Sequence, residues 1–166
     1  MKHTRDVCLQ VDVNRELFYD AYIPEKDLWS EKDFNKRLQT SGDLGARIQH
    51  AFESVLSEND SAIIIGSDCP EINPGIIEQA LDALKSNDVV IGPSFDGGYY
   101  LIGMNSSHPF LFQNINWSSS TVFKETFDKI ESHNLSLKVI DTLSDMDTIQ
   151  ELNMFPKIKA QITSLL

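Results

Sequence analysis

The chain is poor in cysteine, poor in positive charge and without a long apolar run, and each shortage excludes a class of protein. Cys8 and Cys69 are its two cysteines. With no export signal, that pair does not support a disulfide framework, and no paired Cys/His spacing points to zinc. No apolar run approaches the roughly 18 residues needed to span a bilayer. The opening Met1-Lys-His-Thr-Arg-Asp6 lacks the apolar stretch of a signal peptide, so the expectation is a cytoplasmic chain with no membrane partner. Fourteen Lys and Arg against 25 Asp and Glu leave a formal charge of −11. A protein that grips a nucleic-acid backbone needs a basic face instead, so no nucleic-acid partner is expected. Surplus carboxylate first serves solubility and is also compatible with divalent metal.

What is present fits one domain over residues 1–166, long enough for a sizeable core. No linker, internal repeat or low-complexity segment interrupts it. Residues 1–11 read as the end of a helix. Glu16-Leu-Phe-Tyr-Asp20 is a short strand candidate. Residues 21–42 read as irregular, with a short helix near 30–35. Leu44, Ile48, Ala51, Phe52 and Val55 recur at helical spacing after Gly42-Asp43. The β-branched run from Ala62 to Gly66 reads as a buried strand. Asn73-Pro74 opens a helix, with Asn as N-cap and Pro in the first turn. Strands follow at 89–91 and 99–104, then a helix at 120–132, a strand at 135–140 and helices at 147–154 and 156–165. Strands alternating with helices imply an α/β fold with a mainly parallel sheet covered on both faces.

Chemistry-bearing residues gather at the expected strand exits, where open α/β sheets bind ligands. Gly66-Ser67-Asp68-Cys69-Pro70 places one carboxylate there. A single carboxylate plus waters and substrate phosphates is a common Mg²⁺ arrangement, although Asp68 could instead bond its own loop's N–H groups. A nucleophilic role for Cys69 has no histidine nearby in sequence to support it. Asp96-Gly97-Gly98-Tyr99-Tyr100 offers a carboxylate and two glycines whose N–H groups could face a sugar or phosphate. It reads equally as a tight hairpin turn. Asp145 and Asp147 lie two apart, ahead of a helix, and fit either a metal site or a helix cap. Asp43, Gly45 and Arg47 sit at a helix start suited to anions. Trp117-Ser118 would either wall a pocket or pack into the core.

Taken in order, Gly-Asp-Leu-Gly-x-Arg, Gly-Ser-Asp-Cys-Pro, Asp-Gly-Gly-Tyr-Tyr-Leu-Ile-Gly-Met, Asn-x-x-Trp-Ser and Asp-x-Asp-Thr resemble one family from about residue 1 to 154. It is the family of small bacterial GT-A-type transferases classed as a glycosyltransferase-like domain of unknown function. Its members are often encoded beside radical SAM enzymes, and some are assigned to arsenosugar biosynthesis. The aspartates are also similar to those of sugar-nucleotide and molybdopterin-type nucleotidyltransferases. The resemblance implies a Rossmann-like nucleotide-diphospho-sugar transferase fold. It implies Mg²⁺ or Mn²⁺ on Asp68 and Asp147, with Asp145 near them, and a nucleotide-sugar donor with a small acceptor. Asp96 would be the acceptor base, and Asp43, Gly45, Arg47, Ser67, Gly97, Gly98, Tyr99, Trp117 and Ser118 would line the substrate site.

The sequence departs from that family at its start. Members open with a strand and a loop reading roughly Lys-x-Pro-x-x-Gly-x-Val-Lys-Thr-Arg-Leu, and no such stretch occurs here. Expected consequences are an open sheet edge near Ile63 to Gly66, weak nucleotide binding and self-association into a homo-oligomer. Three functions are consistent with this reading: glycosyl transfer, nucleotidyl transfer with pyrophosphate release, and a catalytically inactive binding or assembly module.

Overall fold

The computed structural model describes residues 1–144. A four-stranded sheet in the order β3-β5-β4-β6 forms its centre. These strands are β3 (Ala62–Ile65), β4 (Val89–Pro93), β5 (Tyr99–Met104) and β6 (Leu137–Val139). β4 pairs parallel with β6, while β5 runs antiparallel to both β3 and β4. Three strands therefore share one direction, and the sheet is mixed. The reversal comes from the hairpin that joins β4 to β5, which the Asp-Gly signal anticipates.

Successive residues of β4 serve opposite faces. Val89 and Ile91 pack with Phe52, Ile102, Met104, Leu111 and Ile130, whereas Val90 packs with Ile77, Ala80, Leu84 and Leu101. All three β4 side chains are 0% exposed, as expected of a strand covered on both faces. The first face is covered by α2 (Leu44–Leu56) and α4 (Val122–Ser132), with a 3₁₀ turn at Pro109–Phe112. The second face is covered by α1 (Lys2–Cys8) and α3 (Pro74–Ala83). The cap anticipated at Asn73 forms, accepting from Ile76 N at 3.3 Å, and Asp43 caps α2 by accepting from Ala46 N at 2.8 Å. Gly92 lacks a side chain for a packing reason, because a Cβ there would lie 2.4 Å from Tyr100 Cζ.

A second sheet pairs β1 (Glu16–Tyr19) with β2 (Asn35–Leu38) in parallel. The short helix expected near 30–35 is instead a turn leading into β2. Asn-Lys-Arg-Leu carries no apolar alternation, and its strand is held by partners distant in sequence. Arg37 Nε meets Glu16 Oε2 at 2.6 Å, and Asn35 Nδ2 donates to Glu16 Oε1 at 2.9 Å.

A cavity of about 1460 Å³ separates the two sheets. β1 and β3 line it, together with residues of α1 and α2, the β4–β5 hairpin and the segment from Trp117 to Val122. Asn14 Nδ2 donates to Asn59 Oδ1 at 3.3 Å, which brings together the N-terminal ends of β1 and β3. β3 is the outermost strand of its sheet, and Ile63, Ile64, Ile65 and Gly66 are half-buried on the cavity. Among the described residues, no strand pairs with the outer side of β3. Among the described residues, no helix is long and apolar enough to cross a membrane.

Candidate functional site

Three chain segments meet at the carboxyl ends of β3, β4 and β6. The exit of β3 is anchored by Gly66 N donating to Tyr100 O at 2.9 Å. The β4–β5 hairpin is joined to the segment after β6 by Phe95 N to Leu143 O and Leu143 N to Pro93 O, both 3.1 Å. That segment reaches the β3 exit through Ser144 N, which donates to Glu71 Oε2 at 2.8 Å. Residues 71 and 144 are thereby brought together by the order of the sheet strands.

Asp68 is exposed, and its carboxylate takes no hydrogen bond or ion pair among the described residues. Its Oδ1 folds back toward Gly66, where a Cβ would lie 2.9 Å from it. The alternative of a loop cap is therefore not what the structure shows. Cys69, next in sequence, is 1% exposed within the core, which accords with packing rather than attack on a substrate.

Asp96 is committed on one oxygen. Its Oδ1 accepts from Ser94 Oγ at 2.5 Å and from Gly98 N at 2.9 Å, leaving Oδ2 without a partner among the described residues. Gly97 N donates to Ser94 O at 3.1 Å. Both glycine N–H groups are thus spent inside the turn, which corrects the expectation that they face a ligand. Gly97 is required by conformation and space: its φ is +93°, and a Cβ would lie 2.1 Å from Ser120 O. Phe123 N donates to Gly97 O at 2.9 Å, so the hairpin sits directly on the segment after Trp117.

The other sequence-predicted residues divide into two groups. Ser67, Arg47, Gly98, Trp117 and Ser118 line the cavity together with Asp96. Arg47 is held at its mouth by Nε to Gly42 O at 3.1 Å and Nη1 to Gln39 Oε1 at 3.2 Å. Asp43 and Gly45 have structural occupations. Asp43 caps α2. A Cβ on buried Gly45 would lie 2.4 Å from Phe112 O and 2.7 Å from Trp117 Nε1, so that glycine admits the indole. Tyr99 lines the cavity, but its hydroxyl is buried beside Thr126 of α4 without a hydrogen bond of good geometry. Burial pushes that phenol well above the usual tyrosine range, and Thr126 opposes the shift. Asp145 and Asp147 lie outside the described residues.

Sequence reasoning missed two carboxylates that organise the site. Glu71 is the one on Ser144. Glu125 accepts from Thr121 Oγ1 at 2.6 Å and Asn116 N at 2.9 Å, which secures the loop carrying Trp117 and Ser118. Those two bonds hold Glu125 below the usual carboxylate range. Glu125 lies four residues after Thr121 on α4, a spacing visible in the sequence, whereas nothing local signals the 73-residue reach of Glu71.

Among the described residues, no group of three His, Cys, Asp or Glu side chains could enclose a metal. An exposed, uncommitted Asp68 does fit Mg²⁺ or Mn²⁺, which usually keep waters and take one or two protein carboxylates beside substrate phosphates.

The fold is the α/β fold of the nucleotide-diphospho-sugar transferases. A solved structure from Desulfovibrio desulfuricans G20, provisionally named a nucleotide-diphospho-sugar transferase, superposes with a TM-score of 0.82 at 28% identity. The match covers 93% of this chain and 70% of that one. The fold also matches CMP:2-keto-3-deoxy-manno-octonic acid synthetase complexed with CTP, with a TM-score of 0.58 at 12% identity, over 99% of this chain and 88% of that one. The chain belongs to the family described as uncharacterized protein conserved in bacteria (DUF2064), whose sequence pattern matches residues 4–119. It is also 40% identical over 65 residues to 2-phospho-L-lactate guanylyltransferase of Methanocaldococcus sp. (strain FS406-22). That segment is 39% of this chain and spans 28% of the guanylyltransferase.

Proposed function

We propose that the protein is a metal-dependent transferase that moves a glycosyl group from a nucleotide sugar to a small acceptor at the β3–β4–β6 crest. The observation that carries this reading is the Asp68 carboxylate at the exit of β3, without a partner among the described residues, beside a cavity shared by Arg47, Asp96 and Trp117. Asp68 would hold Mg²⁺ or Mn²⁺, with Asp147 or Asp145 as a second carboxylate. A bound divalent ion supplies charge neutralisation for a departing diphosphate. Arg47 adds a fixed positive charge on the cavity wall. Ser94 and Gly98 lock one oxygen of Asp96, so Oδ2 is aimed and free to accept the proton of an acceptor hydroxyl. Trp117 and Ser118 would bound the sugar, with Gly45 making room for the indole.

Nucleotidyl transfer is the second reading, and the guanylyltransferase relative favours it. There a phosphorylated nucleophile would attack the α-phosphate of a nucleoside triphosphate, and pyrophosphate would leave. Reaction products separate the two. Nucleoside diphosphate released from a nucleotide sugar supports glycosyl transfer, and pyrophosphate released from a triphosphate supports nucleotidyl transfer. Neither product across a panel of donors would overturn both and leave a binding module.

A further inference from the structure

Three side chains among the described residues are polar and buried: Thr4 at 4% exposure, Ser94 at 5% and Thr126 at 0%. A buried hydroxyl is costly unless bonded, so its partner indicates what it secures. Ser94 is bonded to Asp96. Thr4 Oγ1 donates to the carbonyl of Ser67 at 2.9 Å, one residue before Asp68, and the exposed Met1 amine donates to the same oxygen at 2.9 Å, so Thr4 supplies its buried donor. On the preceding residue of α1, His3 Nε2 lies 2.8 Å from the carbonyl of Ile72. α1 therefore holds the loop of residues 67–72 at both ends. Between the ends, Cys69 and Ile72 are sunk in the core at 1% exposure each. Asp68 is left outward with a free carboxylate on a fixed backbone.

We propose that Thr4 is a positioning residue for Asp68. Its buried hydroxyl fixes the Ser67 carbonyl, and with it the direction in which the Asp68 carboxylate leaves β3, so that α1 presets the loop for a divalent cation. This rests on the reading of Asp68 as a metal carboxylate. Thr4 never touches the ion; it acts by orienting the peptide that carries the ligand, as outer partners of metal ligands do.

The test uses Thr4→Val, which keeps the shape and removes the donor, and Thr4→Ser, which keeps the donor. Mn²⁺ alone is titrated by electron paramagnetic resonance, and hydrogen exchange is read at the Asp68 and Cys69 amides. Thr4→Val is expected to weaken Mn²⁺ binding about tenfold and speed exchange at the loop, while Thr4→Ser stays within about twofold of the original on both readouts. Equal Mn²⁺ affinity in Thr4→Val, or equal impairment in Thr4→Ser, overturns the proposal, because either result reduces Thr4 to packing. If the unaltered protein binds no Mn²⁺, the metal reading of Asp68 fails and the proposal fails with it; faster loop exchange in Thr4→Val, restored in Thr4→Ser, would then assign Thr4 a structural hold on the loop alone.

Discussion

Gly45→Ala isolates the contact that seats Trp117. Gly45 lies in the first turn of α2, and the added Cβ would stand 2.4 Å from Phe112 O and 2.7 Å from Trp117 Nε1. Ordinary contact begins roughly 1 Å farther out, and small-to-large changes in a packed interior cost about 1–3 kcal/mol. Helix propensity offsets up to about 1 kcal/mol, because alanine is the better helix former. The expected net loss is therefore about 1–2 kcal/mol, and a urea slope of about 2 kcal/mol per molar converts it to a midpoint lower by about half to one molar. Gly75→Ala is the control. It also lies in a first helical turn but is exposed, and its nearest neighbour would be the Asn73 side chain at 3.3 Å. With no clash to offset the better helix former, its midpoint should stay the same or rise by up to about 1 kcal/mol equivalent. An unchanged or higher midpoint for Gly45→Ala would refute the packing argument and return Gly45 to the role of a ligand-contacting residue.

Gly97→Ala should cost at least about 2 kcal/mol, from positive φ and the Ser120 carbonyl together; thermal unfolding checks it. Asn73→Ala should cost about 1 kcal/mol by removing the bond to Ile76 N, read from the urea midpoint. His108 has a buried Nε2 without a hydrogen bond, and burial holds its pKa below the ordinary 6.5, opposed in part by Asp88. Its contribution to stability is complete above about 6.5 and is lost as pH falls from there toward the folded-state value, because the unfolded chain takes up the proton first. His108→Gln should flatten that stretch of the stability–pH curve, and an unchanged slope would assign the decline to other groups.

The elements whose signals are local were legible in the sequence. The Asn73 cap, the start of α2 after Gly42-Asp43, the β-branched runs of β3 and β4 and the Asp-Gly hairpin all state their structure within a few residues. β2 was not legible, because Asn35–Leu38 is polar and becomes a strand only against β1. The position of β5 between β3 and β4 is likewise a long-range outcome, fixed by which apolar faces meet the helices. At the site, residue types and strand exits could be read, and commitments could not. Asp68 and Asp96 look alike in sequence, yet among the described residues one carboxylate has no partner and the other holds a turn. The tethers that distinguish them come from Thr4, Ser94, Glu71 and Leu143, and two of these, Thr4 and Leu143, belong to chain segments distant from the aspartate they serve.

The central claim is that the Asp68 crest binds a nucleotide through a divalent ion. Calorimetric titration of GDP and UDP into this protein and its Asp68→Asn variant, with and without Mn²⁺, tests it most directly. The account predicts weak binding that requires Mn²⁺ and disappears in Asp68→Asn. Binding that ignores Mn²⁺, survives the substitution unchanged or is absent from the unaltered protein would contradict it.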